Sequence, residues 1–300
     1  MTTQPAPSVL HGRVLDWYAE NARDLPWRRD DATAWGVFVS EVMLQQTPVA
    51  RVEPVWRDWL RRWPAPADLA AEPPGEAVRA WGRLGYPRRA LRLHQAATAM
   101  VERHAGRVPA TEAELLELPG VGAYTAAAVA TFAFGRRTTV VDTNVRRVLA
   151  RVVAGRQLAA PSPTRDELSV AAALVPQEAP RARAWSVAVM ELGALVCTAR
   201  SPRCGDCPVR QQCAWRLAGR PPHDGPARRG QAWHGTDRQL RGILLAALRS
   251  SVHPVPRTAL ESLSDNETQR ERCLDSLVAD GLVEPLAGDY FALPGAREAS

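Results

Sequence analysis

The residues with the most distinctive chemistry are Cys197, Cys204, Cys207 and Cys213, spaced C-x6-C-x2-C-x5-C in "CTARSPRCGDCPVRQQC". Four thiols in so short a loop either share a metal centre or sit under strain. On spacing alone zinc is the first assignment, four-cysteine zinc sites being common. A zinc ribbon, however, usually offers two C-x2-C knuckles where this run has one, and iron–sulfur clusters also take four thiolates. Both metals stay open at this level. Cys273 stands apart on the apolar side of a predicted helix and reads as a small core residue.

The stretch "LPGVGAYTA" suggests a different chemistry. Leu118, Gly120, Val121 and Gly122 make a Gly-x-Gly turn that runs straight into a small-residue helix. Glycines let a backbone approach a phosphate closely, and a helix N-terminus offers the phosphate free N–H groups. Taken alone, such a turn reads more simply as a connection between helices. The charge adds to the phosphate reading. The chain carries a formal +6 and a pI of about 9.5, and all 38 of its Lys+Arg residues are arginine, the residue suited to bidentate phosphate contacts. Just inside the helix stands Tyr124, a phenol, in a chain with no lysine to supply a side-chain amine.

These groups must be held by a mainly helical chain. Val9, Leu10, Val14, Trp17 and Tyr18 fit one helical face. "SEVMLQQTPVARVEPVWRDWLRRW" continues the pattern, with Ser40 as a predicted N-cap and Pro54 as an interruption. Thr111 and Glu114 have capping-box spacing. With 46% hydrophobic residues the chain can bury a sizeable core. Three segments follow from composition: a helical domain over 1–215, a Pro- and Gly-rich linker over 216–235, and a small domain over 236–300. The small domain reads as three helices followed by a two-stranded hairpin around Gly288, the order of a winged helix. Its first helix is predicted to start at Thr236 and to bury Leu240, Ile243, Leu244, Ala247 and Leu248. Acidic residues outnumber arginines in this domain, so it is expected to dock on the helical domain or recruit a partner rather than grip DNA. The N-terminus has no basic, apolar leader and no run approaches a membrane span, so a cytoplasmic protein is expected.

Taken in order, "LPWR" (25–28), "SEVMLQQT" (40–47), "RLGY" (83–86), "LPGVGAYTA", "VVDTNVRRVLARV", "ELGALVC" (191–197) and the cysteine run resemble the helix–hairpin–helix DNA glycosylases of the endonuclease III superfamily, in their adenine-removing (MutY-type) branch. The resemblance covers roughly residues 8–215. It implies a two-subdomain helix–hairpin–helix fold and a [4Fe–4S] cluster on the four cysteines, which reverses the preference for zinc. It implies double-stranded DNA holding adenine opposite 8-oxoguanine or guanine as the substrate, bound without sequence reading by Leu118–Gly122, with the protein acting as a monomer. Glu41, a carboxylate in an apolar helix, corresponds to the general acid; Asp142 corresponds to the carboxylate that stays ionised and stabilises the sugar, with Asn144 orienting it. Trp27 and Arg28 match pocket residues, and Gln46 and Tyr86 match residues that wedge into the duplex. Tyr124 stands where the strand-cutting members carry a nucleophilic lysine, so the resemblance implies a monofunctional enzyme. The readings set against it are a glycosylase/lyase of the endonuclease III kind and a non-enzymatic iron–sulfur regulator. Residues 236–300 are too short and too helical for the β-rich domain with which typical members recognise 8-oxoguanine. Selectivity therefore rests either on the wedge or on a different contact from the small domain.

Overall fold

The computed structural model describes residues 6–223, 225 and 233–295. Part of the expected linker, and Arg297 and Glu298 of the small domain, lie outside the described residues. In chain order the elements are α1 (Pro7–Asn21), a 3-10 turn (Pro26–Arg28), α2 (Ala34–Met43), α3 (Val49–Arg62), α4 (Pro66–Ala70), α5 (Pro74–Trp81), α6 (Arg88–His104), α7 (Glu112–Leu116) and α8 (Ala123–Phe134). Then follow α9 (Thr143–Val152), α10 (Arg165–Ala173), α11 (Ala179–Leu195), α12 (Ala214–Leu217), α13 (Asp237–Ser250), β1 (Val255–Pro256), α14 (Arg257–Glu261), α15 (Glu267–Ala279), β2 (Glu284–Leu286) and β3 (Tyr290–Ala292).

Two compact units divide these elements. One comprises the described residues within Met1–Ala32, Ala110–Leu116 and Val121–Ala227; the other those within Thr33–Pro109, Glu117–Gly120 and Arg228–Ser300. In the first, α9, α11 and α1 pack around Leu10, Val14, Val145, Val148, Trp185 and Leu192. In the second, α2 is buried along nearly its whole length. Thr33 caps it by accepting from the Gly36 amide, and the Trp56 indole N–H donates to the Gly36 carbonyl at 2.8 Å. Gly36 is glycine because a Cβ there would lie 3.0 Å from the Leu60 side chain and 3.2 Å from Trp56.

The small C-terminal segment belongs to the second unit. Its strands form a three-stranded antiparallel sheet in the order β1-β3-β2, so the expected hairpin of β2 and β3 gains a third strand, β1, from between α13 and α14. It packs on α5 and α6. The Arg79 guanidinium donates to the carbonyls of Ser251 (2.7 Å) and Arg249, Arg249 donates to the Gly82 carbonyl, and Arg88 pairs with Asp280 at 3.2 Å. The Gly75 amide donates to the Pro294 carbonyl at 2.7 Å.

Several local expectations are corrected. Ser40 is not an N-cap: it lies inside α2, donating to the Val37 carbonyl, because the helix starts at Thr33. The helical pattern around it breaks between Met43 and Val49 before resuming through Pro54. On α13 the buried residue beside Leu244 is Leu245, and Ile243 faces solvent; on α1, Val9 is exposed. The caps at Thr111 and Thr236 form as expected, each accepting from the amide three residues on.

Candidate active site

In the first unit the chemistry gathers at the start of α9. Asp142 is its N-cap, one carboxylate oxygen accepting from the Val145 amide at 2.6 Å and the other from the Asn144 side-chain amide at 2.7 Å. Burial pushes the Asp142 pKa above the ordinary carboxylate value, opposed by those hydrogen bonds and by the Arg147 charge. Arg147 carries the arrangement further: its guanidinium donates to the Asn144 side-chain oxygen (2.6 Å) and to the carbonyls of Gly193 (2.6 Å) and Cys197 (2.7 Å). Asn144 fits only because residue 193 on α11 has no side chain; a Cβ there would lie 2.7 Å from the Asn144 Cβ.

Two residues before that glycine stands Glu191, fully buried. Arg23 binds it in a fork at 2.6 and 2.8 Å, and Arg28 reaches the same carboxylate at 2.9 Å. Burial acts to raise the Glu191 pKa, but the Arg23 hydrogen bond and the Arg28 charge hold it below the ordinary range. Trp27 and Arg28 share the 3-10 turn, where Trp27 is buried; the second terminal nitrogen of Arg28, Nη1, is buried with no hydrogen-bond partner. Glu191 was not singled out in the sequence, although a carboxylate in the apolar run "WSVAVMELGALV" was a readable signal.

The Gly-x-Gly turn leads directly into α8. Gly120 takes a left-handed φ of 77°, and a Cβ there would lie 2.7 Å from Arg92. Gly122 caps α8 in extended backbone with open space beside it, and Gly120, Gly122 and Ala123 are exposed. Leu118 is buried, so its side chain anchors the turn and only its backbone is available to a ligand. Tyr124, in the first turn of α8, is half-buried against Ala127, Ala128 and Val140.

In the second unit Glu41 is 5% exposed within α2. Gln46 and Tyr86 are both exposed, and both adopt left-handed backbone, φ 56° and 47°. Non-glycine residues hold that conformation only where surrounding structure enforces it. Here the enforcer is the buried Arg89. One terminal nitrogen donates to the carbonyls of Val42 (3.1 Å), Met43 (3.2 Å) and Gln45, and the other to Thr47 Oγ1 (3.0 Å) and the Gly85 carbonyl (3.1 Å). Its guanidinium also stacks 5.3 Å from the Tyr86 ring centre. One side chain thus ties the loop of Gln46 to that of Tyr86, and burial lowers its pKa to about 10. Nothing in the sequence marks Arg89 out from the other arginines.

Cys197, Cys204, Cys207 and Cys213 line one cavity in the first unit, walled by Val148, Val152, Leu192, Val196 and Trp215. Among the described residues no three or more His, Cys, Asp or Glu side chains are close enough to hold a single metal ion. Four thiols around one apolar space are a donor set that an iron–sulfur cluster takes. Burial and the neighbouring thiols push the Cys207 pKa up to about 12, so binding must displace protons. Arg151, almost fully buried, donates to Cys197 Sγ at 3.3 Å and to the carbonyls of Thr198 (2.8 Å) and Ala199 (3.0 Å), and stacks on Trp215. It holds the loop in place and, like Arg89, reads in the sequence as one arginine among many.

Comparison with known proteins agrees with this geometry. The family of HhH-GPD superfamily base excision DNA repair proteins matches residues 39–173, and the iron-sulfur binding domain of endonuclease III matches residues 197–213. A thermostable thymine-DNA glycosylase superposes with a TM-score of 0.62 at 25% identity, over 71% of this chain and 97% of its own. An endonuclease III in a non-covalent DNA complex shares the fold with a TM-score of 0.59 at 22% identity, over 73% of this chain and 100% of its own. Fold and site thus define the class of helix–hairpin–helix base excision repair proteins. The adenine DNA glycosylase of Mycobacterium tuberculosis (strain H37Rv) is 54% identical over 299 residues, 97% of each chain, and that of Homo sapiens is 43% identical over 218 residues, 70% of this chain and 40% of the human one. The chain belongs to the adenine DNA glycosylase family. Its cofactor is a [4Fe–4S] cluster, bound in the 197–213 segment. No helix among the described residues is long and apolar enough to cross a membrane.

Proposed function

We propose that this protein hydrolyses the N-glycosidic bond of adenine mispaired with 8-oxoguanine or guanine in double-stranded DNA, acting as a cytoplasmic, nucleoid-associated monomer. Membership of the adenine DNA glycosylase family is the observation that carries this reading. Glu41 gives its proton to adenine N7 as the bond from the sugar C1′ to the base breaks, so the base leaves neutral. Asp142, oriented by Asn144, remains a carboxylate and stabilises the positive sugar until water adds at C1′. The adenine must leave the stack to react; Trp27 and Arg28 line its pocket, the unpartnered Arg28 Nη1 being a free donor there. Gln46 and Tyr86 fill the duplex beside the opposite base, and the backbone of Leu118–Gly122 binds a phosphate. Cys197, Cys204, Cys207 and Cys213 ligate the cluster, which when bound cross-links the loop that Arg151 and Arg147 tie to α9.

Tyr124 and the absence of lysine support a monofunctional enzyme that leaves an abasic site. Two duplexes test the whole reading, one with adenine opposite 8-oxoguanine and one with an oxidised pyrimidine. Strand cleavage of the first only after hot alkali is expected. Cleavage of the second without alkali would replace this reading with a lyase, and cleavage of neither with a non-enzymatic regulator. Tyr124→Lys should add borohydride-trappable imine formation, and equal trapping by the wild type would end the monofunctional assignment.

A further inference from the structure

The winged-helix-like segment brings one side chain to the wedge. Arg238, in the first turn of α13, lies with its guanidinium carbon 5.4 Å from the Tyr86 ring centre and 5.4 Å from that of Trp233. Both rings are half-exposed, Tyr86 at 47% and Trp233 at 49%. The turn that presents them is pinned. Thr236 donates to the Trp233 carbonyl at 2.7 Å, and the Gly235 amide and carbonyl bond the Gln239 and Gln269 side chains at 2.8 and 2.9 Å. Tyr86 therefore stacks with two guanidinium groups of different kinds. Arg89 is buried and its terminal nitrogens bond carbonyls and a hydroxyl. Arg238 is exposed, and among the described residues its N–H groups have no hydrogen-bond or ion-pair partner. Its neighbour Asp237 is taken by Arg272 at 2.7 Å and by Gln269 at 3.0 Å.

A stacked guanidinium with a free N–H edge suits an exposed carbonyl oxygen on a purine. 8-Oxoguanine offers a carbonyl oxygen at C8 that guanine lacks, and a proton on N7 where guanine has an acceptor, so the contact open to Arg238 is a single N–H to O8. We propose that Arg238 of the small C-terminal domain is a specificity-determining residue that reads the purine opposite the adenine, working from the face of Tyr86. This rests on the mispair reading above and supplies the missing contact: the small domain reads the oxidised base through one arginine rather than by binding the backbone.

The test is single-turnover excision and duplex affinity for adenine opposite 8-oxoguanine and opposite guanine, using full-length, cluster-loaded wild type, Arg238→Ala and Arg238→Lys. Arg238→Ala should reduce the preference for the 8-oxoguanine duplex on the order of tenfold, the scale of one lost hydrogen bond from a charged group. Arg238→Lys, which keeps the charge and loses the planar fork, should not restore it. Equal weakening on both duplexes with a shallower salt dependence would mark a phosphate contact and overturn the proposal. Unchanged preference in Arg238→Ala, in a wild type that does prefer 8-oxoguanine, removes the proposal and leaves the function standing. A wild type without preference removes the mispair reading and the proposal together.

Discussion

At the scale of single residues, the proposed mechanism gives two carboxylates with different surroundings different tasks. Glu41 lies in a helix with almost no exposed surface, where a glutamate is costly unless it is partnered. Glu41→Gln should lower excision by about 10²–10⁴-fold, the usual loss with a general acid, while duplex affinity stays near wild type. Rapid excision by the purified variant at neutral pH would remove the assignment. Asp142 is pushed the other way by its hydrogen bonds, but burial prevails and its pKa is raised. Between the ordinary aspartate value and the raised one, the folded protein keeps a proton that the unfolded chain has lost. Stability contributed by this group therefore falls as pH rises through that window, and the charged form is a cost carried at neutral pH. On the proposed mechanism excision needs the charged form, so activity is expected to rise through the same window. Asn144→Ala removes a donor that favours the carboxylate. The acid limb of the single-turnover rate should move to higher pH, and stability at neutral pH should fall by about 1.5–3 kcal/mol, the worth of a hydrogen bond to a charged group. A limb that stays in place would show that another group titrates there.

At the scale of elements, glycines set how closely helices approach. Gly193 on α11 touches Asn144, whereas Gly12 on α1 has nothing within 4 Å of where its Cβ would be. The same chemical change should therefore act in opposite directions. Gly12→Ala should stabilise by about 0.5–1 kcal/mol through helix propensity. Gly193→Ala should destabilise by about 1–3 kcal/mol through overpacking, and excision should fall with it as Asn144 and Asp142 shift. Denaturant titration of both variants decides, and equal effects would mean that α9 yields freely. The elements themselves were legible where one local signal suffices: the caps at Thr111 and Thr236, the hairpin before α8, the cysteine spacing. They were illegible where burial is complete or chain is short. Helix α2 is apolar on all sides, so no periodicity marks its start, and the sequence reading placed its cap at Ser40. The two-residue β1 has no pattern to read. Arg89 and Arg151 were missed because arginine is normally a surface residue, and only the carbonyls gathered around each show that the chain has buried it.

At the scale of the whole molecule, which charges are paired matters beside how many there are. The small domain carries surplus acid, which argued against contact with DNA. The structure consumes much of that acid internally: Asp289 and Glu271 on Arg257, Asp237 on Arg272, and Asp280 on Arg241 and Arg88. Among the described arginines of the domain, the one without a hydrogen-bond or ion-pair partner is Arg238. Its position depends on how the domain seats on α5 and α6 within the same unit, and one contact tests that seating. A Cβ at Gly75 would lie 2.7 Å from the Pro294 carbonyl oxygen and 2.8 Å from the Leu293 Cβ, neither of which is a flexible side-chain end. Gly75→Ala should thus loosen the segment after β3 from α5 and break the Gly75–Pro294 hydrogen bond. Amide exchange should accelerate at Tyr290–Ala292 and along α13 while α9 and α11 keep wild-type protection, and excision of adenine opposite guanine should be largely retained. If the seating of the domain holds Arg238 against Tyr86, the preference for 8-oxoguanine should fall as it does in Arg238→Ala. Loosened exchange with intact preference would show that the Trp233–Thr236 turn alone keeps Arg238 in place; exchange unchanged from wild type would show that the seating does not rest on Gly75.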